Sequence, residues 1–261
     1  IRAEKKGHRG KILTSPSFLD MDHEFYWELE RCIETGMDML VLKRRQAGFS
    51  AKSSSICGYD LCMVPDSYTI ITSGIEEYSA ATMKMVTSGL NDLVNTQFYK
   101  NRHVNNTDLI QTGYMVREDG REHLAGINSI LHRITSTTEQ ALIGKSASKV
   151  IYEEIGKFKG VLGVKSYTDP GMEVGGRKTG FQLLIGTGGE ENESIDEVTK
   201  AMYASDTYGL MSYDNIYEDT ETVGFDKDDR NRVAYFVPAW KFMIIDEEGN
   251  SLKQESLDEI E

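Results

Sequence analysis

The stretch "VLKRRQAGFSAKSSS", Val41–Ser55, carries the parts of a phosphate-binding loop with one part displaced. An apolar run leads to Gly48, a hydroxyl follows at Ser50, and helix-compatible residues come next. Such a loop aims backbone N–H groups and a helix N-terminus at phosphate oxygens, with a Ser or Thr hydroxyl on the magnesium side. The usual form also has a lysine between glycine and hydroxyl. Phe49 stands there instead, while Lys43, Arg44 and Arg45 lie just upstream. On spacing alone the signal is weak, because basic residues before a glycine are common.

A second chemistry-bearing stretch, "SKVIYEEIG", is an apolar run closed by Glu153 and Glu154. Hydrolysis of a nucleoside triphosphate needs one acidic group near magnesium and another group to orient or deprotonate the attacking water. Adjacent residues at a strand end diverge in direction, so two neighbouring carboxylates can divide those tasks. Taken by itself, the pair also reads as an exposed acidic turn. A third stretch, "GFQLLIGTGGE", is a buried-strand pattern ending in glycines around Thr187.

The elements that must position these groups alternate. Phe25, Leu29, Cys32 and Ile33 share a helical face that stops at Gly36, and "MDMLVLK" follows as a short strand feeding the loop. "SAKSSSICGYDLCMV" reads as helix, Pro65 and Asp66 as a turn, and "SYTIITS" as a strand. Met83, Val86, Leu90 and Val94 recur at helical spacing as a core stripe. "LIQTGYMV" and "SILHRITS" suggest a hairpin on a sheet edge, and Pro238 interrupts the closing run "RVAYFVPAWKFMIID". Strands alternating with helices imply a mainly parallel sheet, whose ligands gather at the carboxyl ends of its strands. The ends at Lys43–Ser50, Glu153–Glu154 and Gly186–Gly189 should then face one side.

Composition bounds the function classes. The chain has 261 residues, 39% of them hydrophobic, enough for one large domain with a full core. No apolar run approaches the roughly 18 residues of a membrane span, and a start at Ile1 reads as the interior of a longer chain. Cys32, Cys57 and Cys62 lack metal-ligand spacing and suit reduced core thiols, and the five histidines lack paired metal spacing. A net charge of −13 argues against a surface wrapped in nucleic acid while leaving room for a local basic face. The basic start "IRAEKKGHRGK" and the acidic end "DEEGNSLKQESLDEIE" read as solvated tails.

Taken together and in this order, the motifs resemble the ATPase domain of bacteriophage terminase large subunits over roughly Phe25–Trp240. Phosphate loops of that family are often deviant, with an Arg-Gln pair before the glycine and, in some members, the lysine at the loop's beginning. "KRRQAGFS" is similar to that form of Walker A motif. Lys43 matches the displaced lysine, Arg45 and Gln46 the pair, Gly48 the glycine and Ser50 the magnesium-side hydroxyl. Phe49 then merely occupies the old lysine position. "VIYEE" looks like the acidic Walker B strand, with Glu153 where aspartate is usual and Glu154 at the catalytic-base position. "IGTGG" resembles the coupling motif, with Thr187 as reporter of the γ-phosphate between Gly186 and Gly188. "YGLMSYDN" and "VAYFVPAW" look like the segments that close such a domain.

The resemblance implies an α/β P-loop NTPase fold of the ASCE/RecA-like kind, three-layered, with a mainly parallel central sheet and a small lid subdomain. It implies a domain over residues 1–246, with 247–261 as an acidic tail or linker toward an absent nuclease domain. The implied activity is ATP hydrolysis with Mg2+, driving double-stranded viral DNA into a procapsid, without nuclease activity in this chain. Lys43, Arg44, Arg45, Gln46, Ala47, Gly48, Phe49 and Ser50 would bind ATP, Ser50 and Glu153 would hold magnesium, and Glu154 and Arg45 would be catalytic. Implied partners are DNA, the portal protein, the terminase small subunit and further copies in a ring, pentameric on the portal. The implied place is the host cytoplasm at the procapsid portal, absent from the mature virion.

One departure concerns the arginine finger that many members carry upstream of the acidic pair. Ile143 stands there, so Lys145 or Arg133 in trans, or Arg45 within the same subunit, are the alternatives. Adenine recognition is poorly marked: Tyr26 and Trp27 precede the loop, but neither is assigned. Two other readings remain: a helicase-like ring ATPase of the same architecture, and a non-catalytic nucleotide-binding scaffold.

Overall fold

The computed structural model describes residues 2–4, 11–13, 17–138, 140–188, 193–215 and 232–259. Gly189 and most of the basic N-terminal run lie outside them. The chain forms two compact units, Ile1–Arg31 with Val237–Glu261, and Cys32–Phe236.

The larger unit is built on eight strands: β1 (Met39–Lys43), β2 (Tyr68–Ser73), β3 (Arg102–Asn105), β4 (Leu109–Thr112), β5 (Ile130–Thr135), β6 (Lys149–Tyr152), β7 (Phe181–Thr187) and β8 (Tyr235–Phe236). Their order across the sheet is β8-β1-β7-β6-β2-β5-β4-β3. The six strands from β8 to β5 run parallel, and β4 and β3 complete one edge antiparallel. Parallel central strands are buried on both faces, and Met39, Leu40, Val41, Ile70, Ile71, Val150, Ile151, Leu183 and Leu184 are accordingly fully covered.

The helices are α1 (Asp20–Thr35), α2 (Phe49–Met63), α3 (Glu76–Asp92), α4 (Val161–Thr168), α5 (Glu193–Tyr203) and α6 (Lys253–Asp258). Alternate strand residues Leu40, Ile70, Val150, Tyr152 and Leu184 pack with Val161, Leu162 and Val164 of α4 and Val198, Ala201 and Met202 of α5. The intervening residues point to the opposite face, where α2 and α3 lie against each other and the sheet. Helices on both faces make a three-layer α/β arrangement. Among the described residues, no helix is long and apolar enough to cross a membrane.

Four expectations change. The acidic end is not a solvated tail: it carries α6, Ser256 is fully buried, and Ser251 Oγ donates to Asp20 Oδ1 at 3.0 Å. Ile33 is 46% exposed, because the buried stripe of α1 follows Met21, Phe25, Leu29 and Cys32 and a further step of four drifts off it. Val94 is also exposed, since α3 ends at Asp92. "LIQTGYMV" is not one strand: it breaks at Gly113 into β4 and one arm of a separate hairpin, Tyr114–Glu118 with Arg121–Ala125. Gly113 has φ 138°, and a Cβ there would lie 2.9 Å from the Ala125 carbonyl oxygen, so chain crowding sets the break. The three cysteines are buried thiols outside any disulfide, as their surroundings in the sequence suggest.

In the smaller unit, Lys241 Nζ lies 2.9 Å from Asp20 Oδ2 and 2.6 Å from Glu24 Oε1. Burial disfavours its charge, but the two carboxylates outweigh that and raise its pKa above the ordinary lysine value.

Candidate functional site

The site is built where β1, β6 and β7 end. Lys43 and Thr187 are register partners in the parallel β1–β7 pair, so their side chains leave the sheet at the same level. Lys43 Nζ donates to Thr187 Oγ1 at 2.7 Å and to Glu154 Oε1 at 2.9 Å, and Thr187 Oγ1 donates to Glu154 Oε2 at 3.3 Å. These contacts close a triangle of cation, hydroxyl and carboxylate. The Lys43 side chain is 6% exposed and that of Glu154 26%, so the carboxylate lies on the solvent side.

Close packing draws the tips together. A Cβ on Gly186 would lie 2.4 Å from Ile155 Cγ1, and one on Gly156 would lie 2.6 Å from the Thr187 carbonyl oxygen. Only glycines permit these approaches between the end of β7 and the turn after β6. Glu154 itself adopts the left-handed conformation, φ 51°, unusual for a non-glycine residue. That turn separates the two neighbouring carboxylates.

Glu153 goes elsewhere. It continues the ladder through Glu153 N–H to the Thr72 carbonyl at 2.8 Å and buries its side chain, leaving the residue 2% exposed. Burial raises its pKa. The Ser53 and Thr82 hydroxyls and the more distant Lys43 oppose that rise, whereas Glu154 adds to it. Neither hydroxyl reaches full hydrogen-bond geometry: Glu153 Oε1, Ser53 Oγ and Thr82 Oγ1 all lie buried without a hydrogen-bond partner. An orphaned carboxylate oxygen beside two orphaned hydroxyls suits a hydrated cation, as magnesium takes one or two carboxylates and keeps several waters. Among the described residues there is no group of three or more His, Cys, Asp or Glu able to hold a metal by themselves.

The loop between β1 and α2 is open. Arg45, Gln46 and Gly48 are exposed, Arg44 and Ser50 half-buried, Ala47 and Phe49 buried. Gln46 and Gly48 have φ 64° and 73°, and Gly48 caps α2 without a side-chain hydrogen bond to the first-turn amides. A helix start left uncapped by its own side chains presents N–H groups for an anion.

Phe49 does more than fill a position. It is 2% exposed, and Lys52 Nζ sits 5.0 Å from its ring centroid. Sequence reasoning does not mark Lys52 as a site residue, although it lies three residues after Phe49 on the same helical face.

The finger alternatives separate in space. Arg133 is held within its own chain by Glu76 at 3.2 Å and by Asp108, with its side chain 9% exposed. Lys145 precedes β6 and so lies toward the end of the sheet away from Glu154. Of the residues preceding the loop, Trp27 is 59% exposed and stacks near His23, and Tyr26 meets Phe25 edge-on.

In this sheet the loop-bearing strand β1 is separated from the acidic strand β6 by one inserted strand, β7, whose tip supplies a polar residue. With a glycine-led helix rising from β1, this is the P-loop NTPase fold of the ASCE/RecA-like kind. Solved structures that resemble it include phage large terminases and their ATPase domains. The large terminase of bacteriophage HK97 matches with a TM-score of 0.50 at 13% identity, over 76% of this chain and 40% of that one. The large terminase ATPase domain of Thermus phage P74-26 matches with a TM-score of 0.48 at 16% identity, over 61% and 62%. The large terminase of a further thermophilic bacteriophage, in complex with ADP, matches with a TM-score of 0.40 at 11% identity, over 67% and 48%. The likeness is one of fold, and the chain spans less than two thirds of each of these proteins. No protein-family model matches the chain, and no curated protein does.

Proposed function

We propose that this chain is the ATP-hydrolysing motor part of a terminase large subunit, moving double-stranded DNA into a procapsid. The observation that carries the reading is the Lys43–Glu154–Thr187 triangle at the mouth of an open, glycine-capped helix start. Cation, carboxylate and hydroxyl converge where the phosphates of ATP would rest, from three stretches widely spaced in the chain.

In this reading the exposed loop residues Arg45, Gln46 and Gly48 receive the triphosphate together with Arg44, Ala47, Phe49 and Ser50. Lys43 exchanges its contact with Glu154 for a phosphate oxygen. Glu154, relieved of that partner and already facing solvent, orients the attacking water. Ser50 and Glu153 would hold magnesium, which supplies charge neutralisation on the phosphate oxygens. Thr187, bonded to both Lys43 and Glu154, registers the exchange and passes it along β7, flanked by Gly186 and Gly188, to a small lid within residues 1–246. Arg133 is engaged by its own Glu76 and Asp108, which leaves Arg45 in cis or Lys145 in trans as the finger. Residues 247–261 lead toward a nuclease domain in the natural protein.

The working assembly is a ring of copies on the portal, with the terminase small subunit and DNA, in the host cytoplasm. The test is phosphate release by the purified chain with MgATP, with and without double-stranded DNA, beside Glu154→Gln. Turnover by the parent, lost by about 10²–10⁴-fold in the variant, is the expected result. Equal turnover by both removes Glu154 as the base. Absence of ATP binding by the parent removes the motor reading in favour of a scaffold, and unwinding of forked DNA favours a helicase.

A further inference from the structure

We infer that the hydroxyls of Ser53 and Thr82 are positioning groups for Glu153, holding its buried carboxylate oxygen and a water through which it serves the magnesium of the nucleotide. The inference rests on the nucleotide-site reading above and deepens it by naming two residues behind the strand-end acid.

The three side chains come from three elements and meet between the sheet and two helices. Side chains alternate along a strand, so Glu153 leaves the end of β6 on the same face as Ile151, the face that α2 and α3 cover. Ser53 belongs to the second turn of α2, and Thr82 lies on α3. Both are fully buried, and Glu153 is 2% exposed. Burial raises the Glu153 pKa and both hydroxyls oppose the rise, which places them at its carboxyl group. Ser53 also lies three residues after Ser50, on the neighbouring stretch of the same helix surface. The cluster therefore backs onto the hydroxyl read as a magnesium ligand.

Neither hydroxyl takes the local solution. A serine or threonine inside a helix can close its hydroxyl on a carbonyl three or four residues back. On α2, Ser54 does so with Ala51 and Ser55 with Lys52, each at 2.8 Å. On α3, Ser79 does so with Glu76 at 3.1 Å and Thr87 with Met83 at 3.0 Å. Ser53 Oγ and Thr82 Oγ1 leave that bond unmade and are buried beside Glu153 Oε1, which likewise makes none. Buried polar atoms without partners are destabilising, so three at one carboxylate call for a role other than stability. Donor and acceptor counts supply one. A water whose lone pair faces a cation has two protons to give, and a carboxylate oxygen and a hydroxyl oxygen can take them. The second hydroxyl donates to the carboxylate, which fixes its orientation.

The test is ADP affinity of the full chain, measured by calorimetry in Mg2+ and in EDTA, for the parent, Ser53→Ala, Thr82→Val and Thr82→Ser. The ratio of the two affinities reports what the metal contributes. Ser53→Ala and Thr82→Val are each expected to lower that ratio by about tenfold, the scale for residues that orient a metal's ligands. Their affinity in EDTA should stay close to the parent's. Their melting temperature without ligand should equal or exceed the parent's, because each substitution removes a buried hydroxyl that bonds nothing there. Thr82→Ser, which restores the hydroxyl, should recover most of the ratio.

An unchanged ratio in both variants overturns the inference while leaving the nucleotide site standing. A lower melting temperature, or failure of either variant to fold, makes the hydroxyls structural and overturns it as well. A parent that binds ADP equally in Mg2+ and EDTA overturns the magnesium assignment and this inference with it. A parent that binds no ADP overturns the nucleotide-site reading itself.

Discussion

Lys43 and Glu154, 111 residues apart in the chain, meet at 2.9 Å between Nζ and Oε1. Each group therefore occupies the other. Glu154→Gln should leave Lys43 more available and bind MgATP at least as tightly as the parent, while Lys43→Met should weaken binding by about tenfold or more. Titration with a fluorescent ATP analogue checks both. Weaker binding by Glu154→Gln would mean that Lys43 needs the carboxylate to hold it in position.

Thr187 joins the same pair through bonds of 2.7 and 3.3 Å, and valine matches its shape without the hydroxyl. Thr187→Val is expected to keep ATP affinity within about threefold, since phosphate contacts from the loop remain, and to lower turnover by about tenfold or more. Steady-state hydrolysis and binding measured side by side separate the two effects. A loss confined to affinity would make Thr187 a binding residue without a coupling role.

Gly156 and Gly186 set how closely the strand tips approach. Gly156→Ala places a Cβ 2.6 Å from a backbone oxygen, and Gly186→Ala places one 2.4 Å from a side-chain carbon of Ile155. A side chain yields more easily than backbone, so Gly156→Ala should cost more, about 1–3 kcal/mol of stability. Urea denaturation compares them, and hydrolysis should fall in both.

His132 gives a pH signature away from the site. Burial lowers its pKa below the ordinary histidine value, nearby Lys145 adds to the effect and Asp108 opposes it, and its Nδ1 lies 3.1 Å from the Tyr68 hydroxyl. The folded chain therefore resists a proton that the unfolded chain accepts near pH 6.5. This contribution is fully present above that pH and is lost as pH falls through the lowered folded value. His132→Gln should lose less stability than the parent between neutral pH and pH 5, as measured by urea midpoints. An identical fall in both would show that carboxylates alone set the acid limb.

Much of this fold was legible in the chain. The runs at Met39–Lys43, Tyr68–Ser73, Lys149–Tyr152 and Phe181–Thr187 are short, apolar and bounded by turn residues, because strands buried on both faces leave no room for polar alternation. The helical stripes at Phe25–Cys32 and Met83–Leu90 were equally plain. So was the glycine before α2, since its φ of 73° lies where a Cβ is disfavoured. What failed were edges: Ile33 and Val94 satisfied a pattern but lay beyond the buried arc or the helix end.

The amino-acid order by itself determined an alternating α/β chain with three polar strand ends, because propensity and periodicity act over a few residues. Only the tertiary structure decided which ends meet. The register of Lys43 with Thr187, and the close approach of the turn after Glu154 to the end of β7, depend on packing between distant segments. Close packing is a property of three-dimensional neighbours, and no spacing along the chain encodes it.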